Sequence, residues 1–137
     1  MSYRMTSFTV LWCIHAEQPS DALRREETIV FRKHHHARCT RFDDDDHVLS
    51  CDDVLVERAT IERMFSIMDG IAQDAARNDY YDTRRNAWSW TLELRCGHTI
   101  QQKAYGTIHA PKAAAALREL IGDCFAQKGG VRPILFG

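Results

Sequence analysis

Residues 88–106, WSWTLELRCGHTIQQKAYG, constrain the fold of this chain more than any other stretch. Trp88, Trp90, Leu92 and Leu94 alternate with Ser89, Thr91, Glu93 and Arg95. That period of two marks a strand with one buried face. A second run follows, with Ile100 and Ala104 on one parity and Thr99, Gln101 and Lys103 on the other. Gly97 between the runs makes the pair a hairpin. If Leu92 and Ile100 are both buried and directly opposed, parity requires an odd loop. The expectation is therefore a three-residue loop, Arg95-Cys96-Gly97, with Gly97 left-handed in a bulge, and not a two-residue loop. The two tryptophans read as core, since each ring brings roughly 150–250 Å² of burial.

Two amphipathic helices are written around this hairpin. In Thr60–Ala76 the residues Ile61, Met64, Phe65, Met68, Ile71, Ala72 and Ala75 fall on one stripe. Glu62, Arg63, Ser66, Asp69 and Gln73 lie off it. Gly70 inside this helix suggests a close approach of another element. In Pro111–Lys128 the stripe is Ala114, Leu117, Ile121, Cys124 and Phe125, with Pro111 suited to a first turn and Gly129-Gly130 to a stop.

The N-terminal half reads as strands. Phe8, Val10, Trp12 and Ile14 alternate, which gives Ser7–His15 a strand pattern, with Leu11 and Cys13 keeping its second face partly apolar. Thr28–Lys33 reads as a second strand and Arg38–Phe42 as a third, with His34–Ala37 as the turn between them. Ala16–Glu26 reads as a polar connection and Asp43–Asp46 as a charged turn. Val48–Cys51 and Val54–Val56 form a short hairpin or a bent edge strand, and a helix from Ser50 is the rival reading. Ile134, Leu135 and Phe136 are expected to tuck back onto the body. Both helical stripes need a sheet face to cover. The expected class is α+β in a single domain over 1–137, an antiparallel sheet of about 4–6 strands with two helices packed on one face.

The order also resembles a recurrent, largely uncharacterised kind of small bacterial domain. In it N-terminal strands and a helix precede a Trp-rich hairpin, then a Gly, a Pro and a terminal helix. Trp88, Trp90, Leu92, Gly97, Ile100, Gly106 and Pro111 carry the likeness, over residues 54–127. Where the pattern has acidic-Gly pairs, this chain has Asn86-Ala87 and Cys96-Gly97. The resemblance implies an architecture and brings no activity.

Composition narrows function by exclusion. With 18 Lys and Arg against 19 Asp and Glu, the net charge of −1 argues against both a broad basic nucleic-acid surface and a nucleic-acid mimic. The five cysteines, Cys13, Cys39, Cys51, Cys96 and Cys124, are odd in number and form no C-x-x-C, so they read as reduced thiols of a cytoplasmic protein. No apolar run approaches the roughly 18 residues of a membrane helix, so no membrane partner is expected. The run Phe8–Ile14 alternates like a strand and lacks a cleavage site, which argues against a leader peptide.

Three patterns carry candidate chemistry. The stretch His34–Cys51, HHHARCTRFDDDDHVLSC, offers ligands for a divalent ion through His34, His36 and His47 with Cys39 or Cys51. These donor types suit Zn²⁺ or Ni²⁺, although neither C-x₂-C nor H-x₃-H is present. The plainer account is a solvated histidine turn facing an acidic one. Cys96, beside Gly97 and His98, has the elements of a thiol nucleophile but no oxyanion-hole signature, and reads better as a turn thiol. Asp43–Asp46 are consecutive, so they cannot all converge on one substrate, and they lack the Gly and Glu of a calcium loop. The loop Asp79–Arg85, DYYDTRR, is the best recognition element, because Tyr and Arg most often anchor interfaces. Tyr80, Tyr81, Arg84 and Arg85 are its candidate partner-binding residues, with one tyrosine packing beneath the loop. The expected function is a small soluble, non-catalytic protein-binding or regulatory domain, an inhibitor of phage or mobile-element type fitting the description. Its partner would be another protein or a second copy. The alternative is a metal-binding or metal-sensing protein built on His34–Cys51.

Overall fold

The computed structural model describes residues 4–137. Its elements in order are β1 (Ser7–Ile14), β2 (Arg25–Phe31), β3 (His36–Phe42), β4 (Val48–Leu55), α1 (Arg58–Arg77), β5 (Trp88–Cys96), β6 (Thr99–Gly106) and α2 (Ala114–Gln127). The six strands form one sheet in the order β4-β3-β2-β1-β5-β6, antiparallel throughout. Successive hairpins lay down β1 to β4. The chain then crosses the sheet through α1 and returns β5 to the free side of β1. The fold is α+β, with both helices on one face of the antiparallel sheet.

That face supplies the core. Phe8, Val10, Val30, Ala37, Cys39, Val54, Trp90, Leu92 and Leu94 point into it from alternate strand positions. Ile61, Met64, Met68 and Ile71 of α1 and Leu117, Ile121 and Phe125 of α2 close it from above. Phe8 meets the edge of the Phe65 ring at 5.0 Å between centroids. Trp90 is fully buried and its Nε1–H donates to the Ile108 carbonyl at 2.9 Å. At roughly 25 cal/mol per Å² over roughly 200 Å², its burial is worth about 5 kcal/mol. Trp88 shares its parity but is only half-buried.

The central hairpin differs from expectation in its turn. β5 runs to Cys96 and β6 starts at Thr99, so the loop is the two residues Gly97-His98. Gly97 has φ +61° and His98 does not cross into positive φ, the pattern of a turn that wants Gly first. Parity is restored by a bulge: Arg95 faces Ile100 but Leu94 faces Gln102, so Gln101 is the extra residue. Leu92 therefore opposes Ala104, and Ile100, expected in the core, is 43% exposed. The bulge invalidates a parity argument that assumed an unbroken ladder. Gly106 opposes Trp90, and a Cβ there would lie 2.3 Å from the indole ring. Gly106 thus leaves room for the largest core side chain.

Other boundaries shift for local reasons. β4 is one continuous edge strand, because Asp53 pairs with Arg38 directly opposite at 3.0 Å and Asp52 lies 3.7 Å from Arg41. Gly70 is exposed with nothing within 4 Å of a Cβ, so no element approaches it closely. Pro111 precedes α2 by one turn, its carbonyl accepting the Ala114 N–H at 2.9 Å. The helix stops as expected: Gly129 has φ +77°, its N–H reaches the Ala126 carbonyl and the Gly130 N–H reaches that of Phe125.

The segment 131–137 folds back, held by a buried carboxylate. Glu26, only 1% exposed, receives the N–H groups of Ile134 at 2.6 Å and Leu135 at 3.2 Å. Arg41 Nε donates to its other oxygen at 3.0 Å, and Arg41 Nη2 reaches the Val131 carbonyl. Leu135 and Phe136 are thereby buried, with Leu135 in the left-handed region at φ 59° and Phe136 edge-on to Trp90 at 5.3 Å. Glu26 was read as part of a polar connection; it belongs to β2 and faces the core.

Candidate functional site

A cleft of about 680 Å³ opens where the loop after α1, the segment after β6, the start of α2 and the C-terminal segment meet. Backbone bonds fix its walls. The Thr107 hydroxyl donates to the Asp82 carbonyl at 3.0 Å and accepts the Asp82 N–H at 2.9 Å. The Thr107 N–H donates to the Tyr80 carbonyl at 2.9 Å. Trp90 holds Ile108 from below, as described above. Arg118 donates to the Gly137 carbonyl, which closes the helix side. Two loops that a sequence shows as polar connections are thus stitched to each other and to the core.

The lining is cationic along its rim and apolar on its walls. Arg84, Arg85, Lys112 and Arg118 line it, with His109, and no Asp or Glu side chain does. Trp88, Ile108, Pro111 and Phe136 supply apolar surface. Arg84 is engaged nearby: its guanidinium bonds to Asp82 at 3.2 Å and its backbone N–H does so at 3.0 Å. The Arg84 side-chain bond, then the Arg84 N–H, hold the Asp82 carboxyl below the usual carboxylate range.

The recognition loop lies at this rim and divides its two tyrosines. Tyr80 packs beneath, its ring 5.9 Å from Trp90 and 6.1 Å from His109, and its hydroxyl donates to Asp74 at 2.7 Å. That bond to a carboxylate, with burial, pushes its pKa up to about 12. Tyr81 points outward, 50% exposed, with its ring 5.8 Å from that of Tyr105 on the edge strand β6. Arg84 and Arg85 follow it along the rim, both exposed.

The residues of the His34–Cys51 stretch do not come together. His34 lies in the turn before β3 and His36 at its first position, whereas His47 follows its far end. Seven strand residues, six steps of about 3.3 Å, put roughly 20 Å between those ends. Cys39 faces the core, fully buried, and Cys51 lies exposed on the opposite face beside Thr40. Burial pushes the Cys39 thiol up to about 11. The ring of His36 stacks on Phe31 at 4.4 Å, and His47 lies 3.6 Å from Asp43. Among the described residues, no group of three or more His, Cys, Asp and Glu is gathered closely enough to hold a metal ion. A linear cluster spread along a strand reaches two ends and two faces, and proximity in sequence does not survive that geometry.

Cys96 and His98 sit at the tip of the β5–β6 hairpin. Asp43 caps its own turn, one oxygen accepting the N–H groups of Asp45 at 2.9 Å and His47 at 2.8 Å. Ser89 Oγ and His15 Nε2 lie 2.7 Å apart, a serine–histidine contact the sequence did not suggest. Ser89 is 3% exposed, so this pair closes the end of the β1–β5 ladder and presents no accessible nucleophile. The cleft residues that sequence reading missed are His109, Lys112 and Arg118. No spacing links them to Arg84 and Arg85, so the sequence carries no signal for them. Among the described residues, no helix is long and apolar enough to cross a membrane. No protein-family model matches the sequence, and no curated protein matches it.

Proposed function

We propose that the chain is a non-catalytic protein-binding or regulatory domain whose recognition surface is the loop 79–85 together with the adjoining edge of β6. The observation that supports this is the pairing of Tyr81 with Tyr105, both about half exposed at 50% and 47% and both outside the core. Tyrosine rings supply contact area at small entropic loss, and Arg84 and Arg85 beside them add charged anchors. β6 is the last strand of the sheet, so its outer N–H and C=O groups offer a ladder to an incoming strand. The partner is another protein, a second copy included.

The test is a double variant, Tyr81→Ala with Tyr105→Ala. Both side chains lie on the surface, so the variant keeps its fold by circular dichroism. The wild-type protein is expected to retain a partner from its host lysate, or to sediment as a dimer at micromolar concentration, and the variant to lose that species. A variant that keeps the same partner and the same sedimentation behaviour contradicts the reading.

A further inference from the structure

Two cations of the cleft, Arg85 and Lys112, are left unmatched in a chain that matches its arginines elsewhere. On the sheet, Arg25 meets Asp46, Arg38 meets Asp53 and Arg41 meets Glu26, each within 3.0 Å. Among the described residues, Arg85 and Lys112 have no Asp or Glu side chain within 4.0 Å, although both line one concavity with Arg118, which is held by the backbone oxygen of Gly137. Like charges that converge on a concave surface repel one another and focus the field into it, and an anion relieves that repulsion. The walls are not polar enough for a bare inorganic ion to be the best occupant: Trp88, Ile108, Pro111 and Phe136 face the same space. A volume of about 680 Å³ lies within the usual range of roughly 300–1,000 Å³ for small-molecule sites. The rim is also preorganised, since Thr107, Asp82 and Tyr80 tie the two loops before any ligand arrives.

We propose that this cleft binds a small organic anion, a carboxylate or phosphate carried on an apolar body. The head group sits between Arg85 and Lys112, which arrive from segments 27 residues apart in sequence. Arg118 spends one donor on the Gly137 carbonyl and keeps the rest of its fork for the ligand. The apolar body lies against Pro111 and the exposed part of Trp88. This site shares Arg85 with the proposed protein-binding surface but not Tyr81 or Tyr105, so the Tyr81→Ala, Tyr105→Ala variant should keep its anion binding whether or not that surface fails.

The test uses anilinonaphthalene sulfonate, a fluorescent aromatic anion, with uncharged phenylnaphthylamine as its control. The sulfonate is expected to bind saturably and to weaken as salt is raised, while the neutral dye binds much less. Arg85→Ala with Lys112→Ala, both exposed positions, should lower the affinity at least about tenfold, hydrogen bonds to charged groups being among the strongest. Hexanoate and phenyl phosphate should displace the dye where inorganic phosphate at the same concentration does not, and the better competitor names the head group. Unchanged affinity in the double variant, equal binding of the neutral dye, or equal displacement by inorganic phosphate each overturns the proposal.

Discussion

At Glu26 a carboxylate and a guanidinium are sealed together under the C-terminal segment, the other Glu26 oxygen and one Arg41 nitrogen bonding to backbone groups of that segment and the last Arg41 nitrogen to Ser50. At the cleft, Arg84 is paired with Asp82, but Arg85 and Lys112 border open space with no Asp or Glu side chain within reach. The first arrangement is worth having only if it stays closed, because a buried charge without its partner is severely unfavourable. The second gains nothing for the fold, and its cations remain available. The contrast separates charges closed into the fold from charges left open at its surface, and it can be probed by removing members of each set.

The largest effect is expected at Glu26. Glu26→Ala takes the shortest carboxylate contact from the Arg41 guanidinium, 10% exposed, leaving Asp52 at 3.7 Å, and frees the N–H groups of Ile134 and Leu135. Urea unfolding should show a loss of about 3–5 kcal/mol, the usual consequence of breaking a buried pair. Limited proteolysis should then cut within 131–137. A loss below about 1 kcal/mol would remove the distinction between the two clusters.

Gly106→Ala comes next. Its Cβ falls 2.3 Å from the Trp90 ring, so the indole must move and with it the Phe136 contact that floors the cleft. Overpacking of this kind costs about 1–3 kcal/mol, read from the denaturation midpoint, with a shift in tryptophan emission. A neutral substitution would show that the ring has room to give.

Much of this was legible in the sequence. The two helical stripes predicted Ile61, Met64, Met68, Ile71, Leu117, Ile121 and Phe125 in the core, because helical periodicity survives whatever the tertiary arrangement. The Trp-rich strand was legible for the same reason. The bulge at Gln101 was not: an extra residue in a ladder leaves no compositional trace, and it turned Ile100 outward. Glu26 was hidden because a core-facing carboxylate looks polar until its partners, 15 and 108 or more residues away, are in place. The loop 79–85 stands out by its composition, but the cleft behind it also takes Lys112 and Arg118, which only the fold brings to Arg85. The His34–Cys51 stretch shows the opposite case, since its donors are dense in sequence but the strand between them spreads them to two ends and two faces.

Two smaller effects sharpen the picture of the rim and the core. Tyr80 ionises at about 12 when folded, against roughly 10 for a free tyrosine. The folded state holds that proton more tightly, so its contribution to stability is complete below about pH 10 and is lost as the pH rises from there towards 12. Absorbance titration should show one late tyrosine in the wild-type protein and none in Tyr80→Phe. Thiol labelling under native conditions should be fastest at exposed Cys51 and slowest at Cys39, which is buried and raised to about 11. Rapid labelling of Cys39 would mean that the β2–β3 region opens far more often than its packing allows.

The most direct test of the account is the unfolding free energy of the Arg85→Ala, Lys112→Ala variant in low salt. If these cations serve recognition, the variant keeps wild-type stability within about 0.5 kcal/mol, or gains slightly as repulsion is relieved. A loss of more than about 1 kcal/mol would mean that the fold depends on them, and the cleft would then be part of the scaffold.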